Sequence, residues 1–355
     1  MLKSDWKKAR VQGSVSIRDS LVAMGAGRQH ILFVVSETDR LLGTVTDGDI
    51  RRAMLRSISL DQPIETIMTT APIMLQHGQT WAEAQALMAR HDIQHLPVVD
   101  ATGRIVDLLR IEDFVSANPV LPNWVVLMAG GQGQRLRPMT ESVPKPLLSV
   151  GNRPILETIL TELATNGFRH FYISINYKSE MVKTHFGDGG RFGVEIRYIE
   201  EEVPMGTAGC LSLISENHDA PLLVMNSDLL TKVGFSHLLA FHQENAARVT
   251  VGVRTFDFQI PYGVVKLDQY QIQDIVEKPV QSVMVSAGIC VIDPNLPAIL
   301  PKQYLDMPDL LRQRIAANER VVAFPIHEYW IDVGRFSDLS RAAAEFDSHF
   351  TRADP

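Results

Sequence analysis

The chain has 355 residues, of which 45% are hydrophobic and 21% are charged, and its formal net charge is -7. This composition is ordinary for a globular protein, and the length predicts two domains, because one domain takes roughly 150 residues. The acidic balance and the lack of a long basic stripe argue against nucleic acid as a partner.

The apolar segments predict a cytoplasmic protein without a membrane partner. The first eight residues lack the apolar core of a signal peptide. No apolar run approaches the ~20 residues that a bilayer-spanning helix needs. Cys210 and Cys290 each lie in an apolar stretch. We therefore expect both to be buried, reduced thiols.

The first 120 residues contain an internal repeat. At an offset of 64 residues, Leu32-Phe33-Val34-Val35 aligns with Leu96-Pro97-Val98-Val99, and Asp49 aligns with Asp113. Each copy predicts a helix, a strand, a charged turn, a second strand and the start of another helix. In the second copy these elements are expected at 81–90, 96–100 and 105–109.

The first copy carries the motif Gly43-Thr44-Val45-Thr46-Asp47-Gly48-Asp49. With this motif the repeat resembles a tandem pair of CBS domains, βαββα-type modules that commonly bind adenine nucleotides and regulate an attached enzyme. The resemblance implies that Thr46 contacts phosphate and that Asp49 contacts ribose. In the second copy Arg110 replaces the hydroxyl residue, while Asp113 keeps the carboxylate. We expect one competent site, for an adenine or guanine nucleotide, and one altered or empty site.

Asp49 and Asp113 also fit a purely structural role. Both open predicted helices, where a carboxylate is stabilised by free backbone amides and by the helix dipole. The sequence leaves ligand binding and helix capping as alternatives. The linker between the halves is expected at 116–123, which contains Pro119 and Pro122. The predicted regulatory domain is 1–119, with copies at about 1–60 and 61–119, and the predicted catalytic domain is 120–355.

A glycine-rich loop follows the apolar run Trp124–Met128, which predicts a buried strand. The loop reads Met-Ala-Gly-Gly-Gln-Gly-Gln-Arg-Leu-Arg-Pro-Met-Thr and is followed by Pro144-Lys145-Pro146. Glycines allow backbone amides to turn toward an anion, and Arg135 and Lys145 add two cations suited to phosphate. The spacing fits neither the Walker loop nor the Rossmann fingerprint, because Leu136 stands where the latter has its third glycine.

With this loop, residues 124 to about 345 resemble the sugar-1-phosphate nucleotidyltransferases. These enzymes join a nucleoside triphosphate to a sugar 1-phosphate and release pyrophosphate. The resemblance implies that Arg135 and Lys145 hold the triphosphate. It also implies a nucleotide-binding set consisting of Ala129, Gly130, Gly131, Gly133, Glu201 and Gly206.

The rest of the chain alternates short apolar runs with helical segments, which predicts an α/β fold with a doubly wound, mostly parallel sheet. Helices are expected at 154–163 and 338–346, and strands at 171–175, 194–198, 222–225, 249–253, 272–276 and 289–292. In such sheets ligands lie beyond the carboxyl ends of the strands. Asp228 follows one of these runs, and Asp332 lies in the late motif Trp330-Ile331-Asp332-Val333-Gly334 that resembles a family element. We expect both aspartates to hold Mg²⁺, although helix capping is the alternative role.

Glu277-Lys278-Pro279 resembles the sugar site of the family. The resemblance implies that Glu277 holds sugar hydroxyls and that Lys278 holds the sugar phosphate as part of the catalytic set. An exposed turn is the alternative interpretation. Two further segments resemble sugar-facing parts of the family and contribute Gly263, Ala287 and Gly288. The second of them begins with Ser286 where asparagine is usual, which leaves the sugar open.

The segment Glu200–Gly209 resembles the part of the family that contacts the base. A glutamate accepts hydrogen bonds from N1-H and N2-H of guanine, so Glu201 favours GTP over a pyrimidine nucleotide. The three glutamates at 200–202 also fit a solvated strand end. The arrangement resembles bacterial enzymes that form GDP-sugars for surface glycans. Glucosamine 1-phosphate and mannose 1-phosphate are the expected acceptors, and CBS pairs imply a homo-oligomer.

Overall fold

The structure, a computed structural model, describes residues 6–27, 30–91, 93–111 and 120–350. It divides into two compact units on either side of the boundary between residues 119 and 120. No helix in the described ranges combines the length and apolar character needed to cross a membrane.

The first unit contains two small sheets of identical topology. In each, the first strand is parallel to the second, and the second is antiparallel to the third. The first sheet and its helices are β1 (Arg10–Gln12), α1 (Ile17–Gly27), β2 (Ile31–Val35), β3 (Leu41–Thr46) and α2 (Asp47–Leu55). The second consists of β4 (Leu75–Gln76), α3 (Trp81–His91), β5 (His95–Val99) and β6 (Ile105–Arg110). The matching topology agrees with the repeat in the sequence.

The second unit is built on a seven-stranded sheet within residues 120–350. Its strands, from one edge to the other, are β11 (Glu195–Glu200), β10 (Phe168–Ile175), β7 (Leu121–Met128), β12 (Leu222–Asn226), β17 (Val280–Ile292), β14 (Val249–Gln259) and β18 (Val321–Pro325). Strand β17 runs antiparallel to both neighbours, and the other adjacent pairs are parallel. The predicted mostly parallel sheet is confirmed.

Both faces of this sheet are buried. Val125 and Leu127 of β7 pack into one core, and Val126 between them packs into the other. Successive side chains of a strand point to opposite faces, so a continuous apolar run suits a strand covered on both sides. The helices of this unit are α4 (Met139–Ser142), α5 (Ile155–Thr165), α6 (Ser179–Phe186), α7 (Gly206–Gly209), α8 (Phe235–Glu244), α9 (Met307–Ala316) and α10 (Phe336–Phe350).

Three two-stranded sheets complete the unit in the described range. They pair β8 (Ser149–Val150) with β9 (Arg153–Pro154), β13 (Leu229–Thr231) with β19 (Trp330–Asp332), and β15 (Val264–Asp268) with β16 (Gln271–Val276). All three pairs are antiparallel. The pair β13–β19 is the one that shapes the site described below.

The predicted linker is wrong at its carboxyl end. Strand β7 already begins at Leu121, whose amide donates to the carbonyl of Gly167 over 2.9 Å. The Asn123 side chain is buried and donates to the carbonyl of Pro221 over 2.7 Å. Pro122 is the second residue of this strand, and proline is tolerated near the amino-terminal end of a strand. Residues 116–119 lie outside the described ranges.

Candidate active site

The glycine-rich loop leaves the carboxyl end of β7 in a conformation that requires glycine. Gly133 has a φ of 63°, and a Cβ atom there would lie 2.8 Å from Cγ2 of Thr140 and 3.0 Å from Cβ of Lys145. The Thr140 hydroxyl donates to the Gly133 carbonyl over 3.0 Å. Around Gly131, by contrast, a Cβ atom would meet nothing within 4 Å. At Gly133 the loop is therefore packed against Thr140 and Lys145, whereas at Gly131 it has open space beside it.

A cavity of about 350 Å³ lies against this loop. It collects the two predicted cations and one predicted metal ligand, although these come from three separate segments of the chain. The residues around it are Met128, Ala129, Gly131, Gly133, Gln134, Arg135, Leu136, Lys145, Pro146, Ser227, Asp228 and Gly334. The volume lies within the range of small-molecule binding sites.

The pairing of β13 with β19 brings Asp228 and Asp332 together. Leu229 lies opposite Asp332 in this pair, and the Val333 amide donates to the Asp228 carbonyl over 2.9 Å. Asp228 follows β12, and the amide of Ser227 donates to the carbonyl of Met128 over 3.2 Å. Both aspartates thus lie at the carboxyl edge of the sheet, beside the start of the loop.

Each aspartate has one buried oxygen that receives no hydrogen bond. Oδ1 of Asp228 and Oδ1 of Asp332 are buried and have no partner among the described residues. Burial raises the pKa of Asp332, and the charge of Asp228 raises it further, while Lys145 and Arg135 act in the opposite direction. Buried carboxylate oxygens without donors are costly unless a cation binds them. The pair therefore fits a hard divalent cation, which prefers oxygen ligands.

Lys145 and Arg135 supply the positive charge of the cavity. The ammonium of Lys145 forms an ion pair with Oδ2 of Asp228, and these side chains are 12% and 19% exposed. The guanidinium of Arg135 lies 3.2 Å from the position that a Cβ atom on Gly334 would take. Oδ1 of Asp332 lies 3.3 Å from that same position. Gly334 therefore lets Arg135 and Asp332 approach from two sides.

Glu201 lies beneath the loop rather than at the open side of the cavity. Its Oε1 accepts a hydrogen bond from the Ser174 hydroxyl and lies 3.0 Å from the Cβ position of Gly130. Its Oε2 accepts from the Met205 amide over 2.8 Å. These contacts tie β10, the loop and the following turn together. The predicted contact of Glu201 with a base stays a prediction.

Gly206 occupies a crowded position with a φ of 78°. A Cβ atom there would lie 2.6 Å from the carbonyl oxygen of Leu305 and 2.9 Å from Oδ1 of Asp306. The same carboxylate oxygen accepts from the Thr207 amide over 3.1 Å, and the Thr207 hydroxyl accepts from the Met307 amide over 2.8 Å. Glycine is required here by contact with the start of α9, whatever ligand approaches from the other side.

The predicted sugar residues do not line the cavity. Glu277 and Lys278 are exposed and follow β16, where Oε2 of Glu277 lies 3.0 Å from the Cβ position of Gly263. Ala287 and Gly288 lie nearer the catalytic edge: a Cβ atom on Gly288 would lie 2.8 Å from Nδ2 of Asn226, the last residue of β12. In this conformation Glu277 and Lys278 fit the alternative interpretation, an exposed turn.

Trp330 connects the strand that carries Asp332 with the segment that carries Ala287. No role for Trp330 is predicted from the sequence. Its indole N–H donates to the Ala287 carbonyl over 2.9 Å. The guanidinium of Arg254 lies 5.0 Å from its ring and donates to its carbonyl over 3.1 Å. Trp330 belongs to the motif around Asp332, which draws attention to it in the sequence. The motif does not indicate the contact with Ala287, because the two residues are 43 positions apart.

In the first unit, Thr46 and Asp49 bond to one another. Oδ2 of Asp49 accepts from the Thr46 amide over 2.8 Å, and the Asp49 amide donates to the Thr46 hydroxyl over 3.3 Å, which is a capping box at the start of α2. Arg52 forms an ion pair with the other oxygen of Asp49. Arg110 is half-buried at the end of β6, and Asp113 lies outside the described residues. The capping role is observed, and the ligand role stays a prediction.

Comparison with known proteins supports both halves of the sequence analysis. The family model for the nucleotidyl transferases matches residues 124–349, and the CBS domain model matches residues 9–56 and 64–119. The mannose-1-phosphate guanyltransferase of Yarrowia lipolytica is 32% identical over 238 residues, and that of Saccharomyces cerevisiae is 28% identical over 239 residues. Each match covers 65% of this chain and 66% of the relative, slightly less than two thirds of its length.

Solved structures share the fold of the second unit. HddC from Yersinia pseudotuberculosis is similar with a TM-score of 0.52 and 21% identity, over 63% of this chain and 99% of that chain. The same protein complexed with GMP-PN gives a TM-score of 0.51 and 22% identity over the same shares. At this identity the likeness concerns the fold alone.

Proposed function

The chain belongs to the nucleotidyl transferase family over residues 124–349 and carries a CBS domain pair before them, and from this premise we propose that it is a sugar-1-phosphate guanylyltransferase. It transfers a guanylyl group from GTP to mannose 1-phosphate or glucosamine 1-phosphate, giving a GDP-sugar and pyrophosphate for surface glycan synthesis. The observation that carries the proposal is the cavity in which Arg135, Lys145 and Asp228 meet the glycine-rich loop.

The choice of substrates rests on two lines of support. The relatives from Yarrowia lipolytica and Saccharomyces cerevisiae are named mannose-1-phosphate guanyltransferases, which favours GTP and places mannose 1-phosphate ahead of glucosamine 1-phosphate. The second line is chemical: a carboxylate such as Glu201 suits the adjacent N1-H and N2-H donors of guanine better than it suits uracil or thymine. In this conformation the Glu201 oxygens accept from the Ser174 hydroxyl and the Met205 amide, so contact with a base requires them to accept further hydrogen bonds. Either observation alone leaves the base open, and together they favour guanine.

The reaction is an in-line displacement at the α-phosphorus of GTP. An oxygen of the sugar phosphate forms the new bond to that phosphorus while the bond to the β,γ-pyrophosphate breaks, and pyrophosphate leaves with the electron pair. A phosphate monoester has a second pKa near 6, so the attacking group is largely a dianion at neutral pH and needs no general base. The protein aligns the two substrates and neutralises their charge.

The residues of the cavity divide this work between them. Arg135 offers a planar fork to two phosphate oxygens, and Lys145 offers a compact charge that moves from Asp228 to the phosphates. The exposed amides around Gly131 hold further phosphate oxygens. Lys278 is the candidate for binding the sugar phosphate, and Glu277 for binding sugar hydroxyls. In both cases the hairpin that carries them has to approach the cavity when substrate binds.

Asp228 and Asp332 would hold Mg²⁺. Their unpartnered buried oxygens are the feature that fits this ion. An ion held there would supply positive charge against the charge that develops on the α-phosphate and on pyrophosphate. The two aspartates contribute by presenting oxygens in fixed positions, because backbone pairing between β13 and β19 sets their spacing.

The CBS pair is proposed to regulate this activity by binding a nucleotide between its copies. Thr46 and Asp49 are the candidate ligand residues of the first copy, and Arg110 and Asp113 mark the altered second site. The capping box uses Oδ2 of Asp49, and Oδ1 pairs with the exposed Arg52, so Oδ1 is the oxygen proposed to reach a ligand. We further propose that the protein is a homo-oligomer.

A pyrophosphate-release assay tests the proposed activity. Each of GTP, ATP, UTP and dTTP is incubated with Mg²⁺ and with mannose, glucosamine or glucose 1-phosphate. The proposal predicts the fastest release with GTP and mannose or glucosamine 1-phosphate. Release with UTP or dTTP instead would identify a uridylyl- or thymidylyltransferase. Silence with every pair would indicate a nucleotide-sensing protein that has lost turnover.

A further inference from the structure

The hairpin β15–β16 has one entirely apolar face, and this face is exposed. Val265 pairs with Ile275, and Leu267 pairs with Ile272, so that these four residues share one side of the hairpin. Their exposed fractions are 44%, 58%, 63% and 56% in that order. We call them the apolar hairpin face.

The opposite face of the hairpin is polar along most of its length. Lys266 pairs with Asp274, with 3.9 Å between ammonium and carboxylate, and Asp268 pairs with Gln271. Apart from the pair Val264–Val276 at its foot and a register shift beside Gln273, apolar and polar residues alternate in the hairpin. Such alternation is the pattern of a hairpin that buries one face and exposes the other. The sequence is therefore patterned for burial of the apolar hairpin face, yet none of the described residues covers it.

A hairpin of this kind is weak by itself. An isolated two-stranded hairpin is marginally stable in water, and it gains stability when its apolar face packs against another element. The apolar hairpin face needs such an element, and the described part of its own unit does not supply one. A covering partner is therefore expected.

The exposed apolar surface continues beyond the hairpin. Tyr262 and Tyr270 at its two ends are 75% and 100% exposed. Together with the apolar hairpin face, the two tyrosines present on the order of 700 Å², close to what one partner contributes to a standard interface. A patch of this size is large for a free surface and sufficient for a stable contact.

We propose that the apolar hairpin face packs against the same face of a second copy of this chain. The segment 262–279 carries two lysines, Lys266 and Lys278, against three acidic residues, Asp268, Asp274 and Glu277. This near balance offers nothing to a strongly charged partner or to an anionic membrane surface. Four aliphatic side chains without a charge among them are complementary to themselves, and two-fold contacts between copies are the commonest and most apolar of protein interfaces.

The contact has a consequence for the site that rests on the proposed function. Glu277 and Lys278 directly follow β16, and the Lys278 amide donates to the Tyr262 carbonyl over 3.3 Å at the foot of the hairpin. Packing between copies would restrict the hairpin and thereby the range of positions from which these two side chains approach the cavity. Association through the hairpin is thus expected to support binding of the sugar phosphate more than binding of the nucleotide.

The test measures the distance between hairpins in the full-length protein without any substrate. A spin label is attached to Cys in a Gln269→Cys variant, at the exposed tip of the hairpin and outside the apolar hairpin face. The native Cys210 and Cys290 are buried, and burial raises the pKa of both thiols to about 12, so they do not compete for the label. A five-residue strand is about 17 Å long, so two tips in a face-to-face pair lie within roughly 40 Å of each other.

We expect dipolar coupling between two labelled copies, with a signal that falls on dilution with unlabelled protein. The double change Leu267→Glu and Ile272→Glu replaces exposed side chains of the apolar hairpin face and should abolish the coupling. The matched control Gln271→Glu adds a charge to the polar face and should leave it intact. Absence of coupling at 50 to 100 micromolar protein, a concentration of the order at which specific interfaces are saturated, would overturn the proposal.

Coupling that survives the Leu267→Glu and Ile272→Glu changes would overturn it equally, because association would then run through another surface. Binding of the labelled hairpin to phosphatidylcholine vesicles in place of a second copy would also contradict it. None of these readouts depends on turnover. Failure of the proposed enzymatic activity would therefore leave the result on association intact, and the reverse also holds.

Discussion

Arg135, Lys145 and Asp228 border the cavity, and Asp332 lies beside it next to Gly334, so opposite charges are concentrated in a small space. Arg135 is exposed on the cavity side and shares Gly334 with Asp332 as a neighbour. Replacing Arg135 with alanine removes a phosphate contact without disturbing a packed core. We expect turnover to fall by about 100- to 1,000-fold, the usual cost of losing one fixed charge donor to the transition state. Steady-state pyrophosphate release measures this.

Arg137 provides the matched control for that experiment. It lies two residues further along the same loop, is exposed, and does not border the cavity. Arg137→Ala should retain near-normal turnover, and both variants should unfold at the temperature of the parent protein. Normal turnover in Arg135→Ala would remove this residue from the mechanism.

Asp332 provides a pH-dependent prediction. Because burial and Asp228 raise its pKa, the folded protein holds this proton more tightly than the unfolded chain does. Its contribution to stability is therefore lost as the pH rises from the ordinary aspartate value toward the raised value, and it stays lost at neutral pH. Without metal, Asp332→Asn should melt at a higher temperature than the parent at pH 7.5 and should lose that advantage in acid.

Thermal unfolding at both pH values checks this sign, and calorimetry with Mg²⁺ checks the accompanying loss of metal binding. The conservative amide keeps the size of the side chain, so a cavity does not complicate the comparison. A variant less stable than the parent at pH 7.5 would mean that Asp332 is held by favourable charge contacts that outweigh its burial.

The sequence singles out the loop by its residue types, but it does not indicate which residues the side chains of the site contact. The glycines and cations of 130–145 stand out because few structures need that combination. Glu201 is predicted to contact the base, and the sequence does not indicate that its two oxygens accept hydrogen bonds from the Ser174 hydroxyl and the Met205 amide. Such contacts join segments distant in the chain, and no local pattern encodes them.

Among the elements, the turn into α7 shows how backbone geometry constrains the site. Gly206 combines a φ of 78° with a Cβ position 2.6 Å from the Leu305 carbonyl. Gly206→Ala should lower the free energy of unfolding by about 2 to 3 kcal/mol, since a strained backbone and a close contact add together. Urea unfolding followed by far-UV circular dichroism measures it.

Gly193 provides the comparison that separates the effect of a left-handed backbone from the effect of a close contact. Its φ of 69° also lies in the left-handed region, but a Cβ atom there meets nothing within 4 Å. Gly193→Ala should therefore cost only about 1 kcal/mol, the price of the left-handed backbone alone. Equal losses for both variants would show that contact with Leu305 contributes nothing.

The buried parts of the strands could be predicted from the sequence, and so could the exposed strand β16, expected at 272–276, but the exposed extensions of β14 and β17 could not. The expected strand at 249–253 is the buried part of β14, which continues to Gln259, and the expected strand at 289–292 is the buried end of β17, which begins at Val280. A continuous apolar run indicates a covered strand. The exposed extensions lack such a run, so the ribbon that carries the hairpin was not foreseen.

At the level of the whole molecule, the fold class could be predicted from the order of helices and strands along the chain. An internal repeat followed by alternating strands and helices permits few arrangements, because connections between parallel strands are right-handed and neighbours in sequence tend to be neighbours in space. The pairing of β13 with β19 was not predictable in the same way. It joins residues about 100 positions apart, and short strands of three residues give almost no periodic signal.

The central claim is that the loop, Arg135 and Lys145 hold the phosphates of a nucleoside triphosphate while Asp228 and Asp332 hold its metal. A crystal structure of the full chain with Mg²⁺ and a non-hydrolysable GTP analogue tests it most directly. We predict phosphates against the amides of 130–133, with Lys145 turned from Asp228 toward them and the metal between the two aspartates. Phosphates bound elsewhere, with the Lys145–Asp228 ion pair intact, would contradict it.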